Sequence, residues 1–174
     1  MRYMNIRRGI AVAVLLTIVA AVGLGRADHS PNNEEREAAK KTSDLLHNEL
    51  FSALITEFNE TTAENAELGK HAISLIFNDA NRDMRLIGIF GPLQGGFNDV
   101  PSDQFEQRSL SLALQGKPNT SFERMGNRWY YRRSDPLSNT FHPNCVLCHT
   151  NFANLQNEGQ WVGALVTRVP IERD

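Results

Sequence analysis

Gln160-Trp161-Val162-Gly163-Ala164-Leu165-Val166-Thr167-Arg168-Val169 is the stretch whose reading decides the fold. Its mixture of apolar and β-branched residues suits a strand at the buried centre of a sheet. Thr120 to Glu123 and Arg128 to Arg133 read as two more strands around a turn at Gly126-Asn127. Arg85 to Phe90 reads as a further strand. Gly91 to Asp103 holds Gly91, Pro92, Gly95 and Gly96 and reads as a long loop. Asp103, with Glu106 three residues on, resembles a capping box. It opens a short helix that carries Leu110, Leu112 and Leu114 and stops at Gly116.

The first half has a different period. Residues 28–33 are polar and read as a mobile terminus of the mature chain. Asn33 can cap a long helix, with Glu34, Glu35 and Glu37 at its positive end. Leu46, Leu50, Leu54 and Phe58 recur every fourth residue and mark one apolar stripe. A second helix is expected from about Ala63 to Met84, with Ile73, Ile76, Phe77, Ala80 and Met84 as its stripe. No internal repeat interrupts the pattern. Helices first and strands after, without regular alternation, predict an α+β fold with an antiparallel sheet.

A chain of 174 residues with 41% hydrophobic content suits one domain with a real core. A net charge of −2 gives no reason to expect nucleic-acid binding or a polybasic membrane patch. The N-terminus stands apart from the core. Arg2, Arg7 and Arg8 precede an uncharged run from Ile10 to Leu24, and Gly25-Arg26-Ala27 places small residues where a signal peptidase cuts. Residues 1–27 are therefore expected to be a secretory signal, and 28–174 the single functional domain. An uncleaved anchor helix is the other reading, although the run is short for a core about 30 Å thick. Either way the domain is expected outside the cytoplasm, in the periplasm or an equivalent compartment, with membrane attachment only if the segment is retained.

Both cysteines of the chain lie in Cys145-Val146-Leu147-Cys148-His149. The spacing C-x-x-C-H is that of c-type haem attachment. Two thiols so placed can each form a thioether to one vinyl group of a porphyrin. The adjacent imidazole, His149, then supplies the proximal iron ligand. Phe141, Pro143 and Phe152 give the motif an apolar setting. The alternatives fit less well. A redox dithiol usually opens a helix after a strand in a βαβ unit. Structural zinc wants four ligands, and there is no second cysteine pair. A disulfide across two residues closes a trivial loop.

Further segments complete a pattern. Asn98-Asp99-Val100-Pro101, Phe105-Glu106, Trp129-Tyr130-Tyr131-Arg132-Arg133, the cysteine motif and Trp161-Val162-Gly163-Ala164-Leu165-Val166 occur in that order. The set resembles the single-haem c-type cytochrome family with a PAS-like fold, which also occurs as an extracytoplasmic sensor module. The resemblance spans about residues 40–172. It implies N-terminal helices packed on an antiparallel PAS-like sheet, with one covalent haem c attached in a loop before the last strand. It also implies one-electron transfer or haem-based sensing rather than substrate turnover. Some members of that family supply a cysteine from the helical half as the sixth iron ligand. This chain has no cysteine outside the motif, so its distal position is filled otherwise or is open.

Met84 and His71 are the distal candidates. A thioether ligand raises the potential, and Met84 ends an apolar stripe. His71 lies between Leu68 and Leu75 on a second small apolar strip. His47, on a charged helical surface, and His142, only three residues before Cys145, rank below them. Strand alternation sends Tyr130 and Arg132 to one face and Trp129, Tyr131 and Arg133 to the other. One of the arginines could pair with a haem propionate, and a solvated cationic face is the alternative. The expected function is electron transfer with a redox partner protein. The competing one is sensing of redox state or a diatomic ligand through a separate partner. No acid–base pair, nucleophile triad or phosphate loop marks an enzyme.

Overall fold

Asn32 starts the first helix, one residue ahead of Asn33. The difference has a simple cause: Asn32 has Glu35 three residues on, whereas Asn33 has Arg36. Asn32 Oδ1 accepts from the Glu35 N–H at 2.9 Å, and Glu35 Oε2 accepts from the Asn32 N–H at 2.7 Å. That reciprocal pair satisfies two donors that the helix leaves open. The helix, α1, runs over Asn33–Glu60. In this computed structural model the described residues are 29–66, 68–69, 73, 77, 83–89, 99–148 and 159–172. Residues 1–27, His71 and His149 lie outside them.

The buried positions of α1 are Ala39, Ser43, His47, Leu50 and Leu54, spaced by four, four, three and four. This is one helical face. Leu50 and Leu54 pack with Ile73, Phe77 and Leu165, and Leu46 and Phe58 close the edges of that cluster. The predicted stripe is therefore the one that meets the sheet. Each such fully buried side chain stabilises the fold by about 1.5–3 kcal/mol.

Ile73 and Phe77 are helical and buried, as their stripe predicts. The segment does not stay helical to Met84. Met84 instead opens strand β1, Met84–Gly88, and pairs with Thr167. The alternating burial of Met84 to Gly88 shows why. Arg85 and Ile87 point to one face of the sheet, Met84 and Leu86 to the other, a period of two that no helix could serve.

The remaining elements are α2 (Gln104–Ala113), β2 (Asn119–Met125), β3 (Arg128–Ser138), a single helical turn α3 (Cys145–Cys148) and β4 (Trp161–Pro170). The four strands form one antiparallel sheet in the order β1-β4-β3-β2. The chain is thus α+β. The last strand lies between two neighbours and is buried from Val162 to Thr167, the central place its composition predicts. Gly126, with φ +64°, makes the tight β2–β3 turn, a backbone conformation that favours glycine.

α1 and α2 cover opposite faces. Leu165, Leu86 and Leu137 face α1, while Ile87, Ala164 and Val166 pack on Phe105 and Ala113 of α2. Along β3, Tyr131 groups with Ala39 and Asp135 approaches His47. Two strand residues span about 6.7 Å and four helix residues about 6 Å, so α1 can follow β3 side chain by side chain.

The α2 face carries a buried charge network. The Asp103–Glu106 box is only half formed. Asp103 Oδ1 accepts the Glu106 N–H at 2.9 Å, but the Glu106 carboxylate turns to Ser102 N–H at 2.7 Å and to Arg85 at 2.9 Å. Beside it lies Asp99, 5% exposed, whose carbonyl accepts the Gly88 N–H at 3.0 Å and whose Oδ1 has no hydrogen-bond partner among the described residues. Burial pushes the Asp99 carboxyl above the ordinary range, against a backbone hydrogen bond and the Arg85 charge. Folded Asp99 therefore keeps its proton to a higher pH than the unfolded chain, which releases it near pH 3.9. Across that window the folded state holds more protons, so this group's contribution to stability falls as pH rises. Asp99→Asn should raise stability at pH 7 and leave it unchanged at pH 3.5. Urea unfolding of both proteins across that range checks the divergence.

Candidate functional site

The segment leading into the cysteine motif leaves β3 and returns to the carboxyl end of α1. Phe141 packs edge-on against Phe51 and Phe58, with ring centroids 5.4 and 6.1 Å apart. His142 stacks on Phe58 at 5.4 Å. Asn144 then donates from Nδ2 to the carbonyls of Phe58 at 2.7 Å and Thr61 at 2.9 Å. The last carbonyls of a helix have no partner within it, so a side-chain amide is well matched to them.

The motif itself begins as α3. The loop expected before the last strand is a helical turn, closed by Cys145 N–H to His142 O at 3.1 Å and Leu147 N–H to Asn144 O at 3.0 Å. Its place in the chain, between β3 and β4, is the expected one. Cys145 and Cys148 stand three residues apart on this turn, a spacing at which helical positions share a face. Cys145 is 7% exposed. His149, the expected proximal ligand, lies outside the described residues.

Among the second-rank candidates, His142 is fully engaged. Its Nδ1 accepts from the Asn144 N–H at 3.1 Å, so the proton sits on Nε2, which donates to Asn59 Oδ1 at 3.1 Å. Neither nitrogen is left for iron.

His47 overturns its sequence reading. It is not on a charged surface but 6% exposed, on the buried face of α1, with its ring 4.4 Å from that of Phe51. Nδ1 lies 3.5 Å from Asp135 and has no hydrogen-bond partner among the described residues. Burial pushes this imidazole below its ordinary value, and the Asp135 charge opposes the shift without cancelling it. A neutral buried imidazole with an uncommitted nitrogen is chemically able to bind a metal. The sequence carries the signal: His47 falls at the helical spacing of Ser43, Leu50 and Leu54, beside the every-fourth-residue stripe of Leu46, Leu50, Leu54 and Phe58.

Met84 keeps a place on the α1 face, but as a partly buried strand residue against Leu50, Leu54 and Leu165 rather than as the end of a helix. His71 is outside the described residues.

The arginine pair divides as strand alternation predicts, with a different chemical outcome. Arg132 is 4% exposed on the α2 face, 2.9 Å from Asp103, 3.0 Å from Glu123 and 3.9 Å from Glu106. Its guanidinium lies 4.2 Å from the Phe105 ring centre. Arg132 is therefore not a solvated cation, and it lies on the face of the sheet opposite α1. Arg133, on the α1 face, pairs with Asp135 at 2.5 Å and Asp44 at 2.6 Å. A propionate there would have to displace carboxylates already in place.

Among the described residues, no helix is long and apolar enough to cross a membrane. No protein-family model matches the chain, and no curated protein sequence matches it.

Proposed function

We propose that this protein is an exported mono-haem c-type cytochrome that transfers single electrons to or from a partner protein. The observation that carries the reading is the C-x-x-C-H sequence, whose Cys145–Cys148 part forms one helical turn with a buried Cys145 beside an aromatic row. The residues fit the group. Cys145 and Cys148 would hold the porphyrin covalently, and His149 would take the iron from the proximal side. Haem, when bound, supplies the one-electron Fe(III)/Fe(II) couple. The chain's part is to exclude water with Phe51, Phe58 and Phe141, and to orient the attachment turn. The candidates for a sixth iron ligand would be Met84, His71 and His47, the last on the strength of its burial and its uncommitted nitrogen.

The finer PAS-like reading has the support of its parts: a long N-terminal helix on an antiparallel sheet, and a cysteine turn that precedes the last strand in the chain. The N-terminal pattern of residues 1–27 supports an extracytoplasmic location, the compartment expected for a covalently attached haem c.

The test is spectroscopy of the full chain matured in a host with cytochrome c assembly. Haem is expected to survive denaturing extraction with the polypeptide. Haem that separates from it overturns the reading. In the reduced protein, a spectrum unchanged by carbon monoxide is expected for an electron carrier with a tight sixth ligand. Ready carbon monoxide binding shifts the reading to a haem-based sensor with a displaceable ligand, acting through a separate partner.

A further inference from the structure

We propose that Asn144, braced by His142, is the positioning residue that fixes the cysteine turn on the carboxyl end of α1. The inference rests on the cytochrome reading for its consequence at the iron, but not for its geometry.

Asn144 joins two elements 83 to 86 positions apart in the chain. Its side chain binds two carbonyls of α1, and its own backbone works in the other direction. The Asn144 N–H is held by His142 Nδ1, and the Asn144 carbonyl accepts the Leu147 N–H that closes the turn. One residue thus connects the helix end to the residues between the two cysteines. His142 is the brace. It is stacked on Phe58 and tied through Nε2 to Asn59, so its acceptor nitrogen has a fixed direction.

The α1 end offers Asn144 a seat among carbonyls that have partners of their own. Glu57 O accepts from the Thr61 N–H and hydroxyl, and Glu60 O accepts from Asn65 Nδ2. Asn144 adds a donor at 2.7 Å to Phe58 O, which also receives the Thr61 N–H at 3.3 Å, and donates to Thr61 O, the carbonyl of the C-cap, at 2.9 Å. An apolar residue at position 144 would leave them without it. It would also leave α3, a single turn of four residues, to hold itself. An isolated turn is unstable because it fixes several dihedrals for one hydrogen bond.

Groups that orient a metal ligand from outside typically change affinity or activity by 10–100-fold when removed. In a haem protein such reorientation reads out in the potential.

The experiment compares Asn144→Ala, Asn144→Gln and His142→Gln with wild type in the matured full chain. Amide hydrogen exchange over residues 144–148 reads the clamp whether or not haem is bound. The redox titration reads its effect at the iron. Asn144→Ala should exchange about tenfold faster over that segment, the effect of losing hydrogen bonds at its anchor. It should also shift the ratio of oxidised to reduced protein at fixed poise about tenfold, or about 59 mV for one electron. Asn144→Gln, which keeps the amide, should recover part of both. His142→Gln should move both in the same direction by less. Unchanged exchange in folded Asn144→Ala overturns the clamp. Faster exchange with an unchanged potential reduces Asn144 to a local structural role and overturns its positioning of the iron site. Faster exchange in a chain that carries no covalent haem supports the clamp and removes the cytochrome reading instead. If Asn144→Ala does not fold, Asn59→Ala at the exposed rim takes its place, with the same two readouts and the smaller shift expected of His142→Gln.

Discussion

Glu106→Ala is expected to lower the stability of this protein by about 3–5 kcal/mol, a large share of what a domain of this size possesses. Glu106 is 2% exposed and lies between two buried arginines, Arg85 at 7% and Arg132 at 4% exposure. Its Oε2 accepts from Arg85 at 2.9 Å and from the Ser102 N–H and hydroxyl at 2.7 and 2.9 Å. The intact cluster contributes little net stability, because desolvating three charges costs about what their attraction returns. Removing the carboxylate changes that balance. Arg85 keeps its bond to Val100 O at 2.8 Å, and Arg132 keeps Asp103 and Glu123, but the charge between them is gone. Ser102 loses the acceptor that fixes the entry to α2. Glu106→Gln retains an acceptor for Ser102 and should fall between the two. By contrast, Glu37→Ala breaks only the exposed Lys40–Glu37 pair on α1 and should leave the denaturation midpoint in place. Urea unfolding of the three variants decides it. A Glu106→Ala loss below about 1 kcal/mol would mean that the arginines relax to solvent and that the cluster is not a buried network.

The sheet was legible in the sequence because its strands carry local signals. The β2–β3 hairpin declares itself through Gly126, and β4 through an unbroken run of sheet-forming residues. Strand alternation correctly separated Arg132 from Arg133. What it could not supply was the partner on each face. A buried arginine and a solvated one look alike until Asp103 and Glu106 of the α2 start and Glu123 of β2 are brought in. Met84 failed for the opposite reason. It continues the helical stripe of Ile73 and Phe77 by spacing, but pairing with Thr167 on a central strand outweighs local periodicity. The burial of His47 was not legible because a polar residue in a charged neighbourhood is ordinarily exposed. Its neighbours Leu45 and Asp44 are exposed, and only the position one turn from Ser43 and one from Leu50 turns inward. The motif is the clearest signal of all. Yet its anchoring to α1 depends on Asn144, to which the sequence assigns no role, and on His142, which the sequence offers only as a lesser distal candidate.

The double variant Cys145→Ser/Cys148→Ser is expected to abolish covalent haem entirely, and its three-way comparison with single variants separates the roles of the motif. Each single cysteine variant leaves one thiol able to form a thioether, so haem should remain on the chain through one bond, at lower yield. His149→Ala leaves both thioethers possible but takes away the proximal nitrogen. Haem should then stay with the denatured polypeptide while the absorption and resonance Raman spectra change to those of an altered iron coordination. These outcomes differ from what the competing readings require. In a redox dithiol, either single cysteine variant would destroy the function as completely as the double, and His149 would affect only thiol acidity. In a disulfide staple, all three cysteine variants would act on stability alone, and weakly, because the loop closed is so short. Graded loss of attached haem across the cysteines, together with retained haem but altered coordination at His149, is a pattern that only covalent attachment with an adjacent imidazole ligand produces.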